Sequence, residues 1–492
     1  MTTLYKTLLL VIVFFSTFSS ITIAQLIVTT KKEIELDVNK NKTGIVSTGV
    51  NGIVLLKEQV TKRGDSKKSI TLELLDNRLS SKAEVKLAVP VKSDLVNYFS
   101  KNDYLYLVYS SISSELVNAF KIDLRDLKIQ QSDFYSLPQV RYYEAEVIND
   151  KLFIAGVKGK KGLLLQLDFK DNRSKIIQIQ QHNFPAFIQN LEVINDQLYA
   201  SIKSSNAKDS DLYYQIFNNA GSTVEKGTVT VPKGNKILEG HFAQTSSGEI
   251  NLFGTYSLKR SVHPLGVFNL QLGREASFYP FENVEALSDF KIVNKSTGKK
   301  EAKDYLKINK VEIKNGKLIA LAESYDIVQE KKAETQEQYL LDPNTSFLKM
   351  WPVNNMNYHD YNIHIFQKRL EEVAAYSFKS AITLVLEKEE LTVSTLDISD
   401  ETQHKSFGRL LSHKDEEGNL SVINKLNGEV RKIDPMYPDN VQHTKHMIDR
   451  DGNPLSVEIA GAYFWQKHQY LHYSIAEKGK GKYLLTLLKV KE

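Results

Sequence analysis

The chain has no cysteine. That excludes disulfides, thiolate metal sites, a cysteine nucleophile and a lipid-modified cysteine. A protein of 492 residues can still be held by its core alone, because burial grows with chain length. There is little imbalance of charge: 64 basic against 59 acidic residues, net +5. The signs are interspersed, and short basic runs such as KGKKG (158–162) and EKGKGK (477–482) read as solvated turns. A nucleic-acid binder concentrates its cations on one face or helix, so no nucleic-acid partner is expected. After residue 24 no apolar run approaches the roughly 18 residues a membrane helix needs, so no span is expected in the mature chain. G-x-S-x-G, Walker, G-x-G-x-x-G and H-E-x-x-H elements are all missing. The sequence therefore leans away from an enzyme, and no cofactor or metal is expected.

What is present begins with an export signal. MTTLYK carries one positive charge, TLLLVIVFFSTFSSITIA follows, and Thr22-Ile23-Ala24 supplies small residues where a signal peptidase reads. Residues 1–24 are expected to be a signal peptide and 25–492 a single secreted or periplasmic domain.

The rest of the chain repeats. EVINDKLFIAG starts at Glu146 and EVINDQLYASI at Glu192. The same plan, a turn pair and then an apolar strand, occurs at Asn51-Gly52, Asn102-Asp103, Asn149-Asp150, Asn195-Asp196, Gly248-Glu249 and Asn315-Gly316. Weaker copies lie near 381, 418 and 468. Asn, Asp and Gly accept the positive φ of tight hairpins, so each pair marks a turn between antiparallel strands. In the third unit YYEAEVI, KLFIAGV, LLLQLDF and KIIQIQ make four short strands in about 40 residues. Such a meander repeated at this period is one blade of a β-propeller, an all-β ring of four-stranded blades. Seven blades are expected, and eight also fit. The ring is expected to close by pairing strands from both ends, LIVTTKKEIELD (26–37) with KYLLTLLKVK (482–491). The chain resembles exported bacterial β-propeller proteins with degenerate repeats over most of residues 30–492. It lacks the signature dipeptides of WD and kelch repeats, and no specific family is identified.

The repeat breaks down between 291 and 376, where long inserted loops are expected. QKRLEEVAAYS (367–377) fits a helix or a strand–turn–strand. Nine of the 11 histidines lie beyond residue 260. His359, Asp360 and His364 are densest, but a five-residue spacing suits neither a helix face nor a strand face, so a metal there would need further ligands. His443 and His446 precede Asp449, Asp451 and Asn453, a run that is either a cation loop or a plain hairpin turn. Trp351 and Trp465 are candidate sugar platforms or core. These residues, placed where the repeat is broken, are the candidate binding set.

Function is expected to be a binding or scaffold module for a protein or carbohydrate partner, acting as a monomer. The alternatives are an extracellular hydrolase or lyase on a polymer, and a structural part of a cell-surface assembly. Inward-facing His and Asp at one end of the channel, with a metal or sugar there, would favour the enzyme; a flat apolar face with no polar convergence would favour the others.

Overall fold

The computed structural model describes most of residues 26–281, then 305–328, 375–397, and the strands and several turns between 413 and 491. These residues are all-β and form the blades of a propeller, seven four-stranded sheets and one five-stranded sheet. We number them in chain order: blade 1 (41–90), blade 2 (94–135), blade 3 (140–178), blade 4 (186–229), blade 5 (235–280), blade 6 (305–397), blade 7 (413–445) and blade 8 (461–491 with 26–37). The eight sheets exceed by one the seven blades expected. The difference arises in blade 6, whose second strand Lys317–Val328 pairs with its third, Ala375–Glu387, across a long intervening stretch. The weak repeat near 381 is thus the third strand of a blade already begun at 305, while those near 418 and 468 each belong to a blade of their own. Ala375, Tyr376 and Ser377, read in sequence as helix or strand, are strand.

The turn pairs behave as their chemistry requires. Asn102, Asp103, Asn149, Asn195, Asp196 and Asn315 all hold positive φ at hairpin tips. Blades 1 to 5 bury both faces, so apolar residues alternate between two neighbours. Leu152 and Ile154 pack with Tyr106 and Phe134 of blade 2, while Phe153 packs with Phe187 and Phe217 of blade 4. Equivalent clusters fill the gaps between blades 1 and 2, 4 and 5, 5 and 6, and 8 and 1. The ring closes as expected: Leu26–Asp37 pairs antiparallel with Lys482–Lys491, from Ile27↔Lys491 to Asp37↔Lys482. The first strand of each sheet touches the first strand of the next, through Asp94–Lys101, Val140–Ile148, Ala186–Ile194, Asn235–Gln244 and Tyr305–Lys314, and these inner strands line the axis.

All five carry a β-bulge at the same place. Their registers slip at Leu95/Asn97, Tyr142/Glu144, Ile188/Asn190, Ile237/Glu239 and Ile308/Lys310. A bulge bends the strand and re-aims the side chains that follow it. In blade 5 a glycine makes room for it: a Cβ on Gly254 would lie 1.8 Å from the Glu239 carbonyl oxygen and 2.7 Å from the Phe268 ring. Gly254→Ala is therefore expected to cost about 2 kcal/mol by overpacking, read as a lower urea midpoint. An unchanged midpoint would mean that the bulge can move aside freely.

Candidate functional site at the ring axis

The bulges bring polar residues into register across blades. The first residue past each is Asn97, Glu144, Asn190, Glu239 and Lys310 on blades 2 to 6. Two residues further, on the same strand face, come Phe99, Glu146, Glu192, His241 and Glu312. The two levels lie about 7 Å apart along the strands.

Hydrogen bonds tie these positions together from blade 3 to blade 6. Asn190 Nδ2 donates to Glu192 Oε1 at 2.8 Å. His241 Nε2 is 3.3 Å from Glu239 Oε2, and its Nδ1 is 3.6 Å from Glu192 Oε1. Three carboxylates also reach the next blade's inner strand. Glu144 accepts the Leu191 N–H at 3.2 Å, Glu192 that of Phe242, and Glu239 that of Ile308 at 3.1 Å. The inner strand is a sheet edge with backbone donors that no further strand can take. These carboxylates satisfy some of them, and so hold the blades together at the axis.

That structural duty does not use up the group. Glu146 and Glu192 keep 31% and 26% of their side chains exposed, against 5% for Glu239, so the second level is open to a ligand. Ionisation is perturbed throughout. Burial, with the Glu146 and Glu192 carboxylates adding to it, pushes Glu144 up to about 8. Burial also raises Glu146, against the pull of Lys101. At His241 burial opposes protonation, but hydrogen bonds to Glu192 and Glu239 outweigh it and lift the imidazole to about 9. Lys307, one position before the blade 6 bulge, is lowered by burial despite Glu239, Glu323 and Glu144 nearby. Near neutral pH the site therefore holds a neutral carboxylic acid at Glu144 and an imidazolium at His241. Ionisable groups so displaced, converging from several strands, mark a functional site more often than an ordinary surface. Among the described residues, no group of three or more His, Asp or Glu is arranged to hold a metal ion.

Of the residues singled out in sequence, Trp351, His359, Asp360, His364 and His446 lie outside the described residues. His443 falls on the strand Val441–Lys445 and Trp465 on the innermost strand of blade 8, Gly461–Gln466, with only their backbones described. The run at 449–453 is a tight turn: Asp449 accepts the N–H groups of Asp451 and Asn453 at 2.9 and 2.8 Å, and Asn453 Nδ2 at 3.0 Å. Sequence reasoning missed the axial group, although its mark is in the repeat itself. The glutamate that opens each EVIND copy is Glu146 or Glu192, and a polar residue stands two places before each. E-A-E, N-L-E, E-G-H and K-V-E are one pattern in four successive blades.

No family model matches the chain, and no curated protein matches it. Solved structures of similar architecture include the polysaccharide lyase Uly1, at 8% identity and TM-score 0.43 over 94% of this chain and 99% of that one. The Dos1 propeller has 10% identity and TM-score 0.46 over 94% and 95%. The periplasmic gluconolactonase PpgL of Pseudomonas aeruginosa has 12% identity and TM-score 0.39 over 82% and 95%.

Proposed function

We propose that this propeller is an exported binding protein whose axial site on blades 3 to 6 takes a polyhydroxylated ligand, a glycan. The observation that carries the reading is the convergence of Glu144, Asn190, Glu192, Glu239 and His241 from three neighbouring inner strands, with Asn190 bonded to Glu192, His241 beside Glu239, and Glu144 on the Leu191 N–H. A sugar hydroxyl both donates and accepts, and this site offers both roles at two levels. Glu146 and Glu192 accept; Asn190, the His241 imidazolium and a protonated Glu144 donate. Phe99, partly exposed at the second level and stacked on Tyr106 at 5.1 Å, offers a ring face for the apolar side of a sugar.

A second reading, a hydrolase or lyase acting on such a polymer, is favoured by Glu144. A carboxyl that keeps its proton to about pH 8 is suited to protonate a leaving oxygen. Titration calorimetry against a panel of oligosaccharides, followed by product analysis, separates the two. Binding is expected with the ligand recovered intact, and Glu192→Gln is expected to weaken it about tenfold by removing a charged acceptor. Newly formed reducing or unsaturated ends would move the assignment to the enzyme. Failure of every oligosaccharide to bind would end the glycan reading.

A further inference from the structure

The cations that the sequence intersperses are gathered by the fold onto one end of the ring. Strands alternate in direction, so the turns between second and third strands share an end with the connections between blades. This is also the end at which the inner strands begin. Lys62, Lys92, Lys158, Lys161, Lys233 and Lys259 all stand there, every one exposed except the partly buried Lys158. None has a side-chain partner among the described residues. The described acidic residues at that end are fewer, and two of them are turned to the backbone: Asp65 accepts the Lys62 N–H and Asp211 the Val231 N–H, while Asp94 and Glu115 are exposed.

The opposite end is different. There Arg125 pairs with Asp123, Lys121 with Asp150, Lys151 with Asp168 and Lys317 with Glu387. The basic end also holds the ion pairs Lys40–Asp37, Lys68–Glu58 and Lys478–Glu35, but the six lysines named above stand there without a counter-charge among the described residues.

Arg141 joins the basic end to the axis. It lies on the blade 3 inner strand just before the bulge that carries Glu144, and it is partly buried. Burial alone loosens its hold on its proton, with no carboxylate contributing, and no described residue bonds to its guanidinium. A guanidinium stays charged in a protein, so a half-buried one without a carboxylate is suited to an external anion, which its planar fork binds through two parallel hydrogen bonds. At the same end the rings of His263 and Tyr305, from blades 5 and 6, pack tilted by 38° with centroids 4.8 Å apart.

We propose that this basic end is the landing face for an acidic polysaccharide, a glycan chain bearing carboxylate groups, with Arg141 anchoring one carboxylate at the mouth of the axis. The proposal rests on the glycan reading of the axial site and narrows it. The cations are spread over turns of several blades around the mouth, with Lys158 and Lys161 flanking one turn, instead of forming one stripe. That distribution fits a chain crossing the ring better than a duplex, whose phosphates call for a contiguous basic surface.

The test compares an oligogalacturonate with a neutral cello-oligosaccharide of equal length, by calorimetry on the mature protein. The acidic chain is expected to bind at least tenfold more tightly, and to lose most of that advantage between about 50 and about 300 mM salt. Arg141→Gln is expected to weaken it about tenfold. The surface double variant Lys161→Gln with Lys233→Gln, which perturbs no packing, is expected to weaken it several-fold and flatten the salt dependence, whereas Lys128→Gln at the other end changes nothing. Equal, salt-insensitive binding of both oligosaccharides would overturn the acidic preference and leave the glycan reading standing. Binding of neither would remove both. A DNA oligomer or anionic vesicles held as tightly as the oligogalacturonate would overturn the assignment to a glycan, since the face would then be reading charge alone.

Discussion

A chain lacking Leu26–Asp37 is expected to lose its cooperative thermal transition, or to melt at least 10 °C lower than the full mature chain. This strand is the outer partner of Lys482–Lys491 in blade 8 and pairs with it along nearly its whole length. It buries Val28 and Leu36, and Leu36 packs in the cluster that joins blade 8 to blade 1. Each ladder hydrogen bond contributes about 1 kcal/mol net, and a whole folded chain is stable by only some 5–15 kcal/mol. Its loss also leaves Lys482–Lys491 as an open edge, a template for pairing with a second chain. Calorimetry with light scattering reads both effects. Adding the Leu26–Asp37 peptide in trans is expected to restore part of the transition. A truncated monomer that melts within about 2 °C of the intact chain would refute this account of closure.

That pairing was legible because it depends on local signals at known ends: two long β-rich strands and a ring that must close. The hairpins were legible for the same reason, since Asn149 and Asn195 carry their turn preference wherever they stand. The blade count was not, because the stretch between Val328 and Ala375 separates the two halves of blade 6 and makes its third strand resemble a new beginning. Sequence weights elements by spacing, whereas ladder pairings such as Leu321↔Thr383 do not.

The axial site was illegible for a deeper reason. Glu144, Asn190, Glu239 and Lys310 each look like an ordinary polar residue in an amphipathic strand. They become a set only when strands some 45 to 70 residues apart are laid side by side. The bulge that aligns them is a mismatch with the partner strand, and so no single strand displays it. Histidine density pulled attention to 359–364 and 443–446, while His241, alone in its stretch of sequence, sits between Glu192 and Glu239. The basic end was hidden in the same way: KGKKG is a solvated turn by itself and part of a charged face once turns from several blades share one end.

Stability is expected to fall as pH rises from about 5 to 9, and Glu144→Gln is expected to remove much of that fall. Glu144 titrates near 8 in the folded protein, above its ordinary value of 4.5. The folded state therefore holds this proton more tightly than the unfolded chain does. The resulting stabilisation is complete below about 4.5 and is lost progressively as pH climbs through 8. His241 acts in the same direction: its folded value of about 9 lies above 6.5, so its contribution is whole below 6.5 and gone above 9. Every tenfold difference in proton affinity between the two states corresponds to about 1.4 kcal/mol. Allowing for the partial exposure of Glu144, its ionisation costs about 3 kcal/mol at pH 8.5. A glutamine keeps an oxygen for the Leu191 N–H without taking a charge. The variant should match the parent at pH 5 and exceed it by about that amount at pH 8.5 in urea unfolding. A variant less stable at both pH values would mean that the ionised carboxylate is the form the fold requires. The same variant weighs structure against function. If Glu144 only ties blade 3 to blade 4, the glutamine variant gains stability and loses nothing. If its proton serves the ligand, the more stable protein binds more weakly, and the parent's binding declines as pH passes 8 while the variant's does not. A buried acid that costs stability over part of the pH range, in a strand where glutamine would fit, is explained by the second outcome and left without a reason by the first.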